Sequence, residues 1–205
     1  MTELDQIKEQ FLKIYLAAPA KHVFIRIPKT GTQSMNAALA CPWDHYSATF
    51  CKELLGPERW DKVFSFSMVR NPWSRMYSFF KYHKIHSGKE IHKIFRPHTF
   101  ESWVKEGMPH HYILDHEIYR FPKNPHLQFD WIAENGEVIV DYYFKLENTV
   151  AGTRKLEEEL RVDIRMPHIN RSTTAGEYRA AYTPEMKNIV GDYCRKDIEY
   201  FNYGF

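Results

Sequence analysis

A chain of 205 residues, 43% hydrophobic and 16% aromatic, can bury a full core as one domain, which excludes a disordered polymer. Its 28 basic and 26 acidic side chains leave a net charge of +2, so no general basic field marks nucleic acid as the main partner and any anion site has to be local. Cys41, Cys51 and Cys194 leave an odd thiol and no C-x-x-C pair, which argues against a disulfide framework or structural zinc and for a reducing compartment.

The opening stretch, MTELDQIKEQFLKIYLAAPA, mixes charge with apolar positions, unlike a secretory signal or membrane anchor. Ile7, Phe11, Ile14 and Tyr15 fall at helical spacing and predict a docking helix. The expectation is a soluble, cytoplasmic chain without a membrane span. No repeat, low-complexity tract or Pro/Gly/Ser linker divides it, so residues 1–205 read as one domain.

Segments rich in β-branched and aromatic residues recur at HVFIRI, VFSFSMV and VDYYFKLE, each followed by a helical pattern. That alternation predicts an α/β fold with a central parallel sheet flanked by helices. Asn71 followed by Pro72 supplies a cap and a first-turn proline for the helix WSRMYSFFKYHKI. Asn148 is placed to cap TVAGTRKLEEEL, and Thr183-Pro184 to open EMKNIVGDYCRKDIEYF, with Met186, Ile189, Val190 and Tyr193 as its apolar stripe. Glu134-Asn135-Gly136 predicts a hairpin turn, because Asn-Gly tolerates positive φ.

The first strand runs into Pro28-Lys29-Thr30-Gly31-Thr32-Gln33-Ser34. Gly31 permits close backbone approach, the next helix begins with outward N–H groups, Lys29 adds a full charge, and Thr30, Thr32 and Ser34 add hydroxyls. Together they form a candidate mononucleotide phosphate site; the plain alternative is a tight turn with a cap. The loop is not G-x-x-x-x-G-K-[ST], because it has one glycine and its lysine comes first. No acidic strand end of the magnesium-holding kind follows it, which favours a metal-independent transfer.

The second strand ends in Arg70, and VRNPWSRMYSFF sets Arg75 and Ser78 on one helix face, where an arginine fork and a hydroxyl suit a terminal phosphate. A surface Arg–carboxylate pair is the alternative for Arg75. Taken together, PKTGTQS and VRNPWSRMYS resemble the two cofactor motifs of sulfotransferases that use 3′-phosphoadenosine 5′-phosphosulfate, most of all the carbohydrate sulfotransferases of the heparan sulfate 2-O-sulfotransferase type. Fainter similarity extends through HYSATFCKELL, YYFKLENT and MPHINRST to the C-terminal segment.

The resemblance implies a single P-loop-like domain and transfer of a sulfuryl group to a hydroxyl acceptor on a saccharide, with no metal. It assigns the 5′-phosphosulfate to Lys29, Thr30, Gly31, Thr32, Gln33 and Ser34, and the 3′-phosphate to Arg70 and Ser78. By the same resemblance Arg171, beside His168 and Asn170 in a segment similar to the family's cofactor-covering loop, is the candidate for a further phosphate contact. The family's general base is a His or a Glu; His45 in DHYSAT is the candidate, with Asp44 or Glu53 as alternatives, and the plain reading of His45 is a partly buried ring hydrogen-bonded to backbone.

Between Tyr82 and His126 the chain is rich in histidine. His83 and His86, or His110, His111, Asp115 and His116, lack the spacing of a helical metal site. Lys81, Lys84, Lys89, Lys93 and Arg96 form either a basic acceptor surface for an acidic sugar or a solvated face. Trp43, Trp60, Trp73, Trp103 and Trp131 read as packing residues, and none is singled out as the adenine contact. A nucleotide-dependent kinase and a non-enzymatic binder of nucleotides or anionic polymers are the competing functions.

Overall fold

The computed structural model describes residues 3–17, 22–39, 45–110, 121–166 and 175–205. Cys41, Trp43, Asp44, His111, Asp115, His116, His168, Asn170 and Arg171 lie outside the described residues. In chain order the elements are α1 (Glu3–Ala17), β1 (His22–Ile25), α2 (Thr32–Ala38), α3 (Ala48–Leu55), α4 (Pro57–Trp60), β2 (Phe64–Val69) and α5 (Pro72–Ile85). A 3₁₀ turn (Glu90–Phe95), α6 (Phe100–Lys105), α7 (Gln128–Ile132), β3 (Ala133–Glu134), β4 (Glu137–Val138) and β5 (Tyr142–Lys145) follow. A second 3₁₀ turn (Leu146–Asn148), α8 (Thr149–Leu160), α9 (Ala175–Ala180), α10 (Pro184–Tyr193) and α11 (Arg195–Tyr200) complete the described chain.

The three predicted β segments pair in parallel in the order β1, β2, β5, with Phe24 opposite Phe66 and Phe66 opposite Tyr142. Period-two alternation sorts their side chains to two faces. Phe24, Phe66, Met68 and Phe144 meet Met35 and Leu39 of the α2 region and Leu156 and Leu160 of α8. Val23, Ile25 and Val69 meet Phe11 and Tyr15 of α1, Phe50, Leu54 and Leu55 of α3, and Trp131 and Ile132 of α7. The registered rings of Phe24 and Phe66 stack with centroids 4.9 Å apart, the cross-strand contact that favours this pairing.

The close fit of β5 on α8 depends on Gly152, where an added Cβ would stand 2.0 Å from Phe144 Cδ2. On β2 two small polar residues share the face of Val69: Ser67 Oγ donates to Ile25 O at 2.8 Å, and Ser65 Oγ to Asp141 Oδ2 at 2.7 Å. These bonds satisfy buried hydroxyls and pin the strands on either side of β2. A third apolar cluster joins Trp73, Met76, Phe79 and Phe80 of α5 to Phe95, Trp103, Met186 and Val190. Trp60, Trp73, Trp103 and Trp131 are all buried, as packing residues should be.

Local signals mostly act as expected. Asn71 accepts from Ser74 N at 3.2 Å and Thr183 from Met186 N at 3.2 Å, so both caps form. Asn135 (φ 52°) and Gly136 (φ 87°) make the two-residue turn between β3 and β4. Asn148 stands at the start of α8 without a side-chain cap bond; Thr149 Oγ1 instead donates to Leu146 O at 2.5 Å. The predicted C-terminal helix breaks at Cys194 into α10 and α11, and the break sets Asp197 under α7. Among the described residues no helix is long and apolar enough to cross a membrane.

Candidate functional site

Because β1, β2 and β5 run parallel, the loops that leave them gather at one edge of the sheet, the usual location for ligands in such folds. The loop after β1 contains two left-handed residues, Lys29 (φ 69°) and Gly31 (φ 84°). Left-handed backbone at a lysine costs roughly 1–2 kcal/mol, so the surroundings must enforce it. At Gly31 a Cβ would also lie 2.7 Å from Leu146 Cδ1, in the turn after β5. Between them Thr30 is fully buried and its hydroxyl donates to Ile27 O at 2.9 Å, so this predicted phosphate donor closes the loop instead. Thr32 and Ser34 are buried in the first turn of α2, and Gln33 is exposed.

The second motif holds that loop. Arg70 Nη1 donates to Lys29 O at 3.2 Å, and Arg75 Nε donates to Pro28 O at 2.9 Å. Arg75 also donates to His126 O at 2.6 Å and Pro125 O at 3.1 Å, and it is fully buried. Its guanidinium therefore clamps three main-chain carbonyls and is not the phosphate fork its place on α5 had allowed. Ser78, one turn further along α5, is fully buried as well.

Arg70 is fixed on every side that its backbone offers. Its side chain donates twice to Ser74 Oγ, at 3.0 and 2.8 Å. The Gln128 amide pairs with its main chain, accepting from Arg70 N and donating to Arg70 O at 2.8 Å each. Asp197 in turn accepts from Gln128 N and Phe129 N at 2.8 Å each, capping α7. Burial pushes the Asp197 carboxyl upward and these bonds pull it back. Glu147 receives Asn71 N at 2.7 Å and the Tyr203 hydroxyl at 3.1 Å, tying the exit of β5 to that of β2.

Two cations thus converge. Burial, reinforced by the Arg70 charge, lowers the Lys29 ammonium to about 8. Burial also pushes Arg70 down, with Glu147 opposing the shift and Arg75 adding to it. Lys29 Nζ rests 4.0 Å from the centroid of the Tyr82 ring on α5. Sequence patterns gave no hint of Tyr82, Gln128, Glu147 or Asp197, which are each distant in sequence from the residue they support.

His45 stands in the segment entering α3, where its Nδ1 lies 2.6 Å from Arg26 O. A carbonyl only accepts, so Nδ1 carries the proton and Nε2 is the basic nitrogen of the ring. The bond anchors His45 to the exit of β1, three residues before Lys29, and the Trp131 ring meets it edge-on with centroids 6.3 Å apart. Glu53 lies on α3.

Among the described histidines of the middle segment, His83, His92, His110 and His126 are buried. His83 Nδ1 and His92 Nδ1 are 2.8 Å apart and buried. Among the described residues no group of three or more His, Cys, Asp or Glu side chains is placed to hold a metal ion. Lys84 donates to the carbonyls of Phe95, Arg96 and His98 at 3.2, 2.7 and 2.8 Å. Lys81 pairs with Glu177, Lys93 with Glu90, and Arg96 donates to Ser87 O and Gly88 O. These bonds commit most of the cations that could have made a basic acceptor surface.

No family model, curated protein or solved structure matches this chain.

Proposed function

We propose that the chain is a P-loop-like sulfotransferase, moving the sulfuryl group of 3′-phosphoadenosine 5′-phosphosulfate to a hydroxyl acceptor, on a saccharide, by in-line displacement. The observation that carries this reading is the hydrogen bond from Arg70 to Lys29 O, which joins the two motifs and sets Arg70 close enough for its charge to act on the Lys29 ammonium. A cation on each motif matches a donor that carries phosphates at both ends, the 5′-phosphosulfate on Lys29 and the 3′-phosphate on Arg70.

In this mechanism the Lys29 ammonium faces the oxygen between sulfur and the 5′-phosphate. The new bond forms from the acceptor oxygen to sulfur while the old sulfur–oxygen bond breaks, its electron pair staying on adenosine 3′,5′-bisphosphate. His45 Nε2 takes the acceptor's proton, with Nδ1–H held on Arg26 O so that the basic nitrogen is the one offered. Arg70 serves the 3′-phosphate; Ser78, which the resemblance assigns to the same phosphate, is fully buried on α5 and would support that contact from behind. The left-handed Lys29 and Gly31 shape the loop that would receive the 5′-phosphosulfate, and the missing side chain at Gly31 lets Leu146 pack beneath it.

Thermal denaturation tests the reading. Adenosine 3′,5′-bisphosphate should raise the midpoint without magnesium, by about 2–4 °C per kcal/mol of linkage in a domain of this size. Stabilisation by magnesium–ATP alone would point to a kinase and overturn it.

A further inference from the structure

We propose that Tyr82 is the positioning residue of Lys29, its ring face fixing the direction in which the ammonium meets an anion; this deepens the sulfotransferase reading and rests on it. Lysine is a flexible four-carbon stem ending in a strongly hydrated charge, so a lysine that must act at one atom needs something to stop it wandering. The Lys29 backbone is fixed by its left-handed conformation and by Arg70 on its carbonyl. Its far end is fixed by the Tyr82 ring, 4.0 Å from Nζ. The ring face attracts a cation and does not neutralise it, which a carboxylate partner would do.

Tyr82 is itself held. The His86 ring lies 4.4 Å from the Tyr82 ring, and His86 Nδ1 donates to Tyr82 O at 2.7 Å. His83 and His92 meet the Tyr82 ring edge-on at 5.2 and 6.0 Å. Tyr82 is nevertheless 38% exposed, so it reaches solvent and is not sealed in the core. A tyrosine placed only for packing would not need an ammonium on its face.

The test compares Tyr82→Phe with Tyr82→Leu in the full chain. In the wild type, ring current should shift the Lys29 ε-methylene resonance upfield in spectra of lysine-labelled protein. Tyr82→Phe keeps a ring and should keep that shift; Tyr82→Leu should abolish it. With pyrophosphate as a simple anion probe, Tyr82→Leu should weaken binding about ten-fold and Tyr82→Phe by less than about two-fold. Absence of the upfield shift in the wild type, or pyrophosphate affinity unchanged in Tyr82→Leu, overturns the proposal. Neither readout depends on sulfate transfer, so a chain that held pyrophosphate this way yet transferred no sulfate would sink the sulfotransferase reading alone. An unfolded Tyr82→Leu is replaced by Tyr82→Met, which is held to the same two outcomes.

Discussion

Raising the pH above neutrality should weaken cofactor binding through one group, Lys29. Its ammonium is lowered to about 8 by burial and by Arg70. Contact with phosphate favours the charged form and raises it again, beyond the pH interval considered. Protonation of free Lys29 falls from about nine-tenths at pH 7 to about one-tenth at pH 9. Affinity for adenosine 3′,5′-bisphosphate should therefore drop about ten-fold across that interval, or about 1.4 kcal/mol, while the ligand's own phosphates, with second ionisation near ~6, stay charged. Calorimetry in buffers of different ionisation enthalpy should find uptake of about 0.9 proton per ligand at pH 9 and about 0.1 at pH 7. Affinity independent of pH, or the same slope in Lys29→Met, would refute the reasoning. The folding linkage has the opposite sign to that of binding. The unfolded chain binds the extra proton between about 8 and 10.5, so Lys29 costs stability at neutral pH and the cost disappears as pH rises through that window.

Other perturbations separate structural from chemical roles. Arg75→Met leaves three carbonyls without their buried donor and should destabilise the fold by about 3–5 kcal/mol in urea denaturation; a loss below about 1 kcal/mol would mean the clamp is not structural. Gly31→Ala combines left-handed strain with a 2.7 Å clash on Leu146, and should cost about 1–3 kcal/mol. Adding Leu146→Ala should remove the clash but leave the strain, a partial recovery that a denaturation midpoint can resolve. His45→Ala should lower kcat by about 10²–10⁴ while the affinity for adenosine 3′,5′-bisphosphate changes less than about two-fold. Near-normal turnover would remove His45 from the role of base.

Much of the scaffold was legible because it is written in local patterns. HVFI, FSFSMV and YYFK carry the β-branched and aromatic composition of buried strands, and they pair in parallel as alternation with helices implies. Asn71, Thr183 and Asn135-Gly136 act through contacts within three residues, where sequence is most informative. What was not legible depends on distance. Arg75 looked like a ligand-binding fork because its three carbonyl partners, Pro28, Pro125 and His126, come from remote loops. Thr30 looked like a phosphate donor until its hydroxyl was found on Ile27 O. Asp197 and Gln128 carried no motif at all, since the buried chain from α11 through α7 to Arg70 exists only once the helix breaks at Cys194. The basic run from Lys81 to Arg96 suggested a ligand surface by composition, whereas Lys84, Lys93 and Arg96 bond to carbonyls and a carboxylate of the same region and Lys81 to Glu177 of α9.

The central claim is that Lys29 and Arg70 hold the two phosphate ends of an activated sulfate donor for transfer. The most direct measurement follows sulfur-labelled 3′-phosphoadenosine 5′-phosphosulfate incubated with the full chain and a panel of saccharides in the presence of a metal chelator. The account predicts label on a saccharide matched one-for-one by adenosine 3′,5′-bisphosphate, and loss of both in Lys29→Met. An intact donor in the wild type, or release that Lys29→Met leaves unchanged, would contradict it.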